Sequence, residues 1–141
     1  KIILHLPVHI FLAMVTKVTG GVKVSVEAFY QPQHSDPRLN HFVFAYRITI
    51  ENYSDHAVQL KRRHWIIIDA DGQHREVEGE GVVGEQPVIE PGEMYKYVSG
   101  CNLTCEIGKM FGSYEMERCN DKRKFKVRIP EFLMVTDAKQ S

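Results

Sequence analysis

Residues 63–91 read RHWIIIDADGQHREVEGEGVVGEQPVIEP, and the fold turns on how this stretch is read. It carries the only tryptophan, Trp65, in an apolar run that ends at Asp71-Gly72. Asp-Gly is a hairpin signal, because a two-residue turn of the favoured hand needs φ above zero at both central positions. The run before it is therefore a strand, and residues 73–78 are its polar return. A GxGxxG string at 79–84 follows. In a dinucleotide-binding fold such glycines turn a strand into a helix whose N-terminus holds a pyrophosphate. Here Pro87 and Pro91 come next, and a helix interior does not tolerate proline. The expectation is instead a glycine-rich corner linking two sheets. A lesser anion role stays open, with backbone N–H groups forming a nest and Arg63 or His64 adding charge. The candidate ligand loop is thus Gly79, Gly81 and Gly84 with Arg63 and His64.

The strand leading into this stretch, residues 57–70, has mixed parity. Val58, Leu60, Ile66 and Ile68 share one face, whereas Trp65 and Ile67 take the other. Either both faces are covered near Trp65, or a bulge at Arg62–Arg63 resets the pattern. Elsewhere period-two alternation is plain. Val22, Val24, Val26 and Tyr30 share a face, as do Phe42, Phe44, Tyr46, Ile48 and Ile50. Tyr95 and Tyr97 form a third such set, and Phe125, Val127 and Ile129 a fourth, with Lys124, Lys126 and Arg128 opposite. Alternation over short runs bounded by Pro, Gly, Asn and Asp marks half-buried strands. Residues 101–109 read as irregular, and residues 132–135 as an extension of an edge. No run of ten residues repeats at 3.6. About seven to nine strands with turns between them predict an all-β, antiparallel sandwich.

The chain has 141 residues, with eighteen basic residues against eighteen acidic. The length suits one domain with its own core, and the neutral balance offers no global field for nucleic acid or anionic lipid. Residues 1–13, KIILHLPVHIFLA, are apolar but too few to cross a bilayer. They are expected to lie outside the domain as an N-terminal extension, with the domain running over 14–141. Cys101, Cys105 and Cys119 match no zinc or redox spacing, so reduced thiols in a cytoplasm are the simple reading. Asp69, Asp71 and Glu78 fall on calcium-loop positions, but Ile67 at the first position cannot ligate. Seven histidines form no HExxH or HxH cluster, and there is no GxSxG. No catalytic residue, metal site or cofactor is therefore expected.

Several blocks in order carry a resemblance: FVFAYRITIEN at 42–52, RHWIIIDADG at 63–72, GEGVVGEQP at 79–87, PGEMYKYVSG at 91–100, GSYEM at 112–116 and VRIPEF at 127–132. Over nearly all of residues 15–135 the chain resembles the ApaG family. One departure is TCEIG at 104–108, where the family tends to carry a Thr-Pro-x-Gly turn. The resemblance implies a fibronectin type III-like, immunoglobulin-type sandwich in a cytoplasmic bacterial protein. Its family name reflects a genetic association with diadenosine tetraphosphate hydrolysis. The resemblance also implies a domain that eukaryotes attach to an F-box protein and to a polymerase-delta-interacting protein, as a recognition module. The expectation is a non-catalytic module that binds a protein partner through loops or a sheet edge. The alternative is weak binding of a polyphosphate or dinucleotide at the glycine loop. Membrane and strong nucleic-acid partners are not expected, and homodimer formation stays open.

Overall fold

The structure, a computed structural model, describes residues 14–136. The expectation for residues 1–13 therefore lies outside the described residues. Nine strands form two antiparallel sheets facing each other. They are β1 (Val15–Thr19), β2 (Val22–Tyr30), β3 (Phe42–Asn52), β4 (Val58–Asp69), β5 (His74–Glu80), β6 (Val88–Ile89), β7 (Met94–Leu103), β8 (Ile107–Arg118) and β9 (Lys124–Val135). One sheet has the order β1-β2-β3-β7; the other runs β5-β4-β8-β9, with β6 also paired to β4. The antiparallel sandwich expected from the alternation is thus the observed fold. No helix among the described residues is long and apolar enough to cross a membrane.

The core lies between the sheets and is built from the alternating sets. Val22, Val24 and Val26 on β2 meet Phe44, Ile48 and Ile50 on β3. Leu60, Tyr114, Met116 and Val127 close it from the other sheet. Each side chain buried this way contributes on the order of 1.5–3 kcal/mol. Trp65 is 3% exposed. It packs edge-on against Tyr46 and Phe132, with ring centroids 5.5 Å and 5.9 Å away. Within the core Tyr97 on β7 meets Tyr114 on β8, their hydroxyls 2.5 Å apart. This hydrogen bond runs from one sheet to the other.

Two bulges explain where simple alternation fails. On β4, Leu60 pairs with Met116 and Arg62 with Glu115, leaving Lys61 as the extra residue. The reset sits one residue before the expected Arg62–Arg63. It is the reason Val58 and Leu60 point inward before it and Trp65 and Ile67 after it. On β9, Met110 pairs with Phe132 and Gly112 with Ile129. The surplus falls at Pro130-Glu131, where a residue lacking an N–H is best tolerated. Residues 101–109 are more regular than expected, since β7 runs to Leu103 and β8 begins at Ile107. Strand β1 was not anticipated. It is an edge strand joined to β2 through Gly20-Gly21, and its central residues are exposed.

Candidate functional site

The glycine string does not link two sheets. Gly79 and Glu80 end β5, and both β5 and β6 pair with β4. The intervening residues are an excursion along one edge of one sheet. Its tip is a two-residue turn in which Val82 and Glu85 exchange backbone hydrogen bonds of 2.8 Å and 2.9 Å. Val83 and Gly84 sit between them at φ 43° and 82°, the positive values that a tight antiparallel turn requires. Gly81, at φ 62°, donates its N–H to the carbonyl of Lys61. The Gln86 side chain donates to the same carbonyl. The bulge residue of β4 is therefore stitched to the turn, and Val82, 1% exposed, plugs the core beneath it.

Arg63 and His64 part company. Neighbours on a strand point to opposite faces, so Arg63 turns inward with Trp65, whereas His64 faces outward. Arg63 lies across Gly79, where a Cβ would come within 2.8 Å of Nη1. Nη1 donates to the carbonyls of Glu80 and Gly81 at 3.0 Å and 3.1 Å. Of the five residues named from the sequence, Arg63, Gly79, Gly81 and Gly84 are brought together. His64 is not with them. Its Nε2 is 2.6 Å from Glu76 and 3.5 Å from Glu78, on the exposed face of β4 and β5.

Those three residues could hold a metal ion by atom type, since one ligand atom of each lies within 4.8 Å of the others. Asp69, Asp71 and Cys105 form a second such group. In it Asp69 is already committed, accepting from Gln73 N–H at 3.0 Å and from the Thr104 hydroxyl at 2.9 Å. That pair of bonds ties the Asp71-Gly72 hairpin to the 104–108 turn. Sequence reading found no such groups because they form across strands. The β4–β5 register sets His64 opposite Glu78. Counting from a two-residue Asp71-Gly72 turn would have set it opposite Gly79, because the loop spans residues 70–72, closed between Asp69 and Gln73, with only Gly72 at positive φ.

The side of the sandwich carrying β1 and β9 is closed, with Arg128 N–H donating to the Thr19 hydroxyl at 3.2 Å. The side carrying β5 and β7 is an open seam. Arg75 bridges it, donating through Nη2 to the carbonyl of Asn102 at 2.6 Å and to Cys101 Sγ at 3.4 Å. A cavity of about 290 Å³ lies on the seam at Arg75, where Asp69, Gln73 and Thr104 line it. A second, of about 210 Å³, lies below the glycine turn and is lined by Tyr46, Arg63, Trp65, Tyr97, Ser99 and Gly84. Burial pushes the Tyr46 and Tyr97 hydroxyls above their ordinary range, opposed in part by the Arg63 charge. Burial likewise raises the Cys101 thiol, against the pull of Arg75. The sequence named the arginine and the glycines of this site. It missed the walls, because Tyr46, Tyr97 and Ser99 come from the opposite sheet.

Fold and seam together define a small antiparallel sandwich whose clefts open at a sheet edge. The comparisons place it more narrowly. A family model described as the ApaG domain matches residues 32–118. The Protein ApaG of Brucella canis is 49% identical over 119 residues, covering 84% of this chain and 91% of its own. That of Brucella anthropi is 50% identical over the same length and coverage. Among solved structures, one described as the ApaA protein of Bordetella pertussis is 43% identical with a TM-score of 0.79, covering 82% of this chain and 94% of its own. A structural-genomics X-ray structure is 36% identical with a TM-score of 0.80, covering 86% and 92%. The chain belongs to the ApaG family.

Proposed function

We propose that this chain is a non-catalytic interaction module that recognises a protein partner along the β5–β7 seam. It acts in the cytoplasm with its thiols reduced. The observation that carries this is the seam itself: two edge strands from different sheets, separated by a gap that Arg75 bridges, with a cavity at Arg75 and another below the glycine turn. Edge strands offer unpaired backbone groups to an added segment, and cavities between them give side-chain selectivity. The groups gathered there suit holding more than transforming. A guanidinium stays protonated, and phenols and a thiol raised above their ordinary range are neutral at neutral pH, so none is a ready base or nucleophile.

The alternative, a polyphosphate or dinucleotide on the glycine loop, meets an electrostatic obstacle. Residues 76–93 carry Glu76, Glu78, Glu80, Glu85, Glu90 and Glu93 and no lysine or arginine. A ligand with several negative charges would approach against that field. The experiment is affinity capture from cytosol with the wild-type domain, with Ser99→Tyr to obstruct the seam, and with Lys126→Glu as a control on another face. Calorimetry with ATP and diadenosine tetraphosphate runs beside it. The reading expects a retained protein that Ser99→Tyr loses and Lys126→Glu keeps, with nucleotide binding no tighter than roughly 1 mM, about 4 kcal/mol. Retention by Ser99→Tyr would move the interface elsewhere. Micromolar nucleotide binding would instate the alternative.

A further inference from the structure

We propose that the cavity below the glycine turn is a carboxylate receptor, in which Arg63 holds one acidic side chain of an extended partner segment. This rests on the seam reading above and names the chemistry recognised there. Arg63 is half-buried, and no carboxylate of the described residues lies within ion-pairing distance of it. Among the described residues the other half-buried arginines do have such partners: Arg47 with Glu27 at 3.0 Å and Arg118 with Asp121 at 2.9 Å. A cation among aromatic walls without a counter-charge is costly, and a docked anion relieves that cost.

The geometry selects which anion. Nη1 spends its two N–H groups on the carbonyls of Glu80 and Gly81. A guanidinium has five N–H groups, so three remain on Nε and Nη2. That edge matches the two oxygens of a carboxylate in a fork-to-fork pair. Gly79 is the seat, since any Cβ there would collide with the guanidinium. Ser99 and Tyr46 add hydroxyls, and the Trp65 and Tyr97 rings offer apolar wall to a methylene stem. At about 210 Å³ the cavity is smaller than a usual small-molecule site of roughly 300–1,000 Å³. It suits one side chain. The surrounding glutamates tolerate a single charge better than a polyphosphate. The seam continues to the second cavity at Arg75, so the carboxylate belongs to an internal residue rather than to a chain end.

Trp65 is the only tryptophan and lines this cavity, so its indole resonance reports occupancy directly. The probe is the tripeptide Ala-Glu-Ala, acetylated and amidated. It is set against the same peptide with Gln, an Ala-Ala-Ala peptide with a free C-terminus, and inorganic triphosphate. The Glu peptide is expected to shift the Trp65 indole signal in the millimolar range, and the Gln peptide at least about tenfold more weakly. Arg63→Gln should weaken the Glu peptide similarly, with Arg63→Lys between, because an ammonium cannot make the paired contact. Equal response to Glu and Gln peptides would overturn the proposal, and that comparison needs no variant. Tighter binding of the free C-terminus or of triphosphate would also overturn it. Partner capture lost in Ser99→Tyr but indifferent to Arg63→Gln would sink the carboxylate receptor while leaving the seam reading standing.

Discussion

Replacing Gly81 by alanine should unfold the glycine turn from within, and the cost can be built from its surroundings. Gly81 sits at φ 62°, where a residue with a Cβ loses about 1–2 kcal/mol. Sterics add to this. The new Cβ would lie 2.1 Å from the carbonyl oxygen of Glu85, against an ordinary C···O separation of roughly 3.3 Å. That same oxygen accepts the N–H of Val82. To make room, the turn must give up this bond and disturb its reciprocal, each worth about 1 kcal/mol. The expected total is about 3–4 kcal/mol. Gly84 is the control. Its φ is 82°, but nothing lies within 4 Å of a Cβ placed there, so Gly84→Ala should cost only about 1–2 kcal/mol. Urea unfolding followed by Trp65 fluorescence measures both. A gap of about 2 kcal/mol or more at unchanged m-value is the expected result, equivalent to about 6 °C or more in melting temperature. Equal costs for the two variants would refute the steric argument. Loss of tight nucleotide binding by Gly81→Ala at unchanged melting temperature would refute the structural role of the loop altogether.

Two further outcomes follow from the core. Trp65→Ala should destabilise by about 3–5 kcal/mol, and the wild-type tryptophan should emit as a buried indole; a water-like emission maximum with a stable variant would place Trp65 on the surface. Tyr97 and Tyr114 are raised above their ordinary value of 10.0 by burial. For these two groups the folded state keeps protons that the unfolded state loses, so their contribution to stability is intact below about pH 10 and is lost above it. The slope should be about 1.4 kcal/mol per pH unit for each tyrosine. Alkaline titration of stability checks this, and the doubly substituted Tyr97→Phe, Tyr114→Phe protein should lose the part of the slope these two supply, while buried Tyr46 and Cys101 keep theirs; an unchanged slope would count against it.

Most of the core was legible because its strands alternate without interruption: the Phe42 to Ile50 stripe needed nothing but its period. β4 was harder. One unpaired residue, Lys61, reverses parity midway, and hydropathy alone leaves a bulge indistinguishable from a strand covered on both faces. Once Trp65 is taken as inward, however, Arg63 must follow it and His64 must oppose it, so the division of the candidate site was available in the sequence. The edge strand β1 was not. Its pattern is faint because an edge with exposed Lys17 and Val18 has little hydrophobic face to display. The seam was beyond reach for another reason. Its walls come from residues 46, 63, 65, 82–84, 97 and 99, and only the crossing of two sheets brings them together.

The Tyr97–Tyr114 pair has a mechanical consequence. Apolar faces attract without direction, so two sheets held only by valines, isoleucines and leucines would have many nearly equal ways of sliding past one another. A hydrogen bond has direction and a short range. One hydroxyl from each sheet, meeting between the layers near the β7 edge, acts as a dowel that sets the shear between them. Removing it would leave a sandwich that still holds together but whose layers can creep. The dimensions of the seam at its edge would then vary with that creep, because Tyr97 is at once half of the dowel and a wall of the cavity beside Arg63.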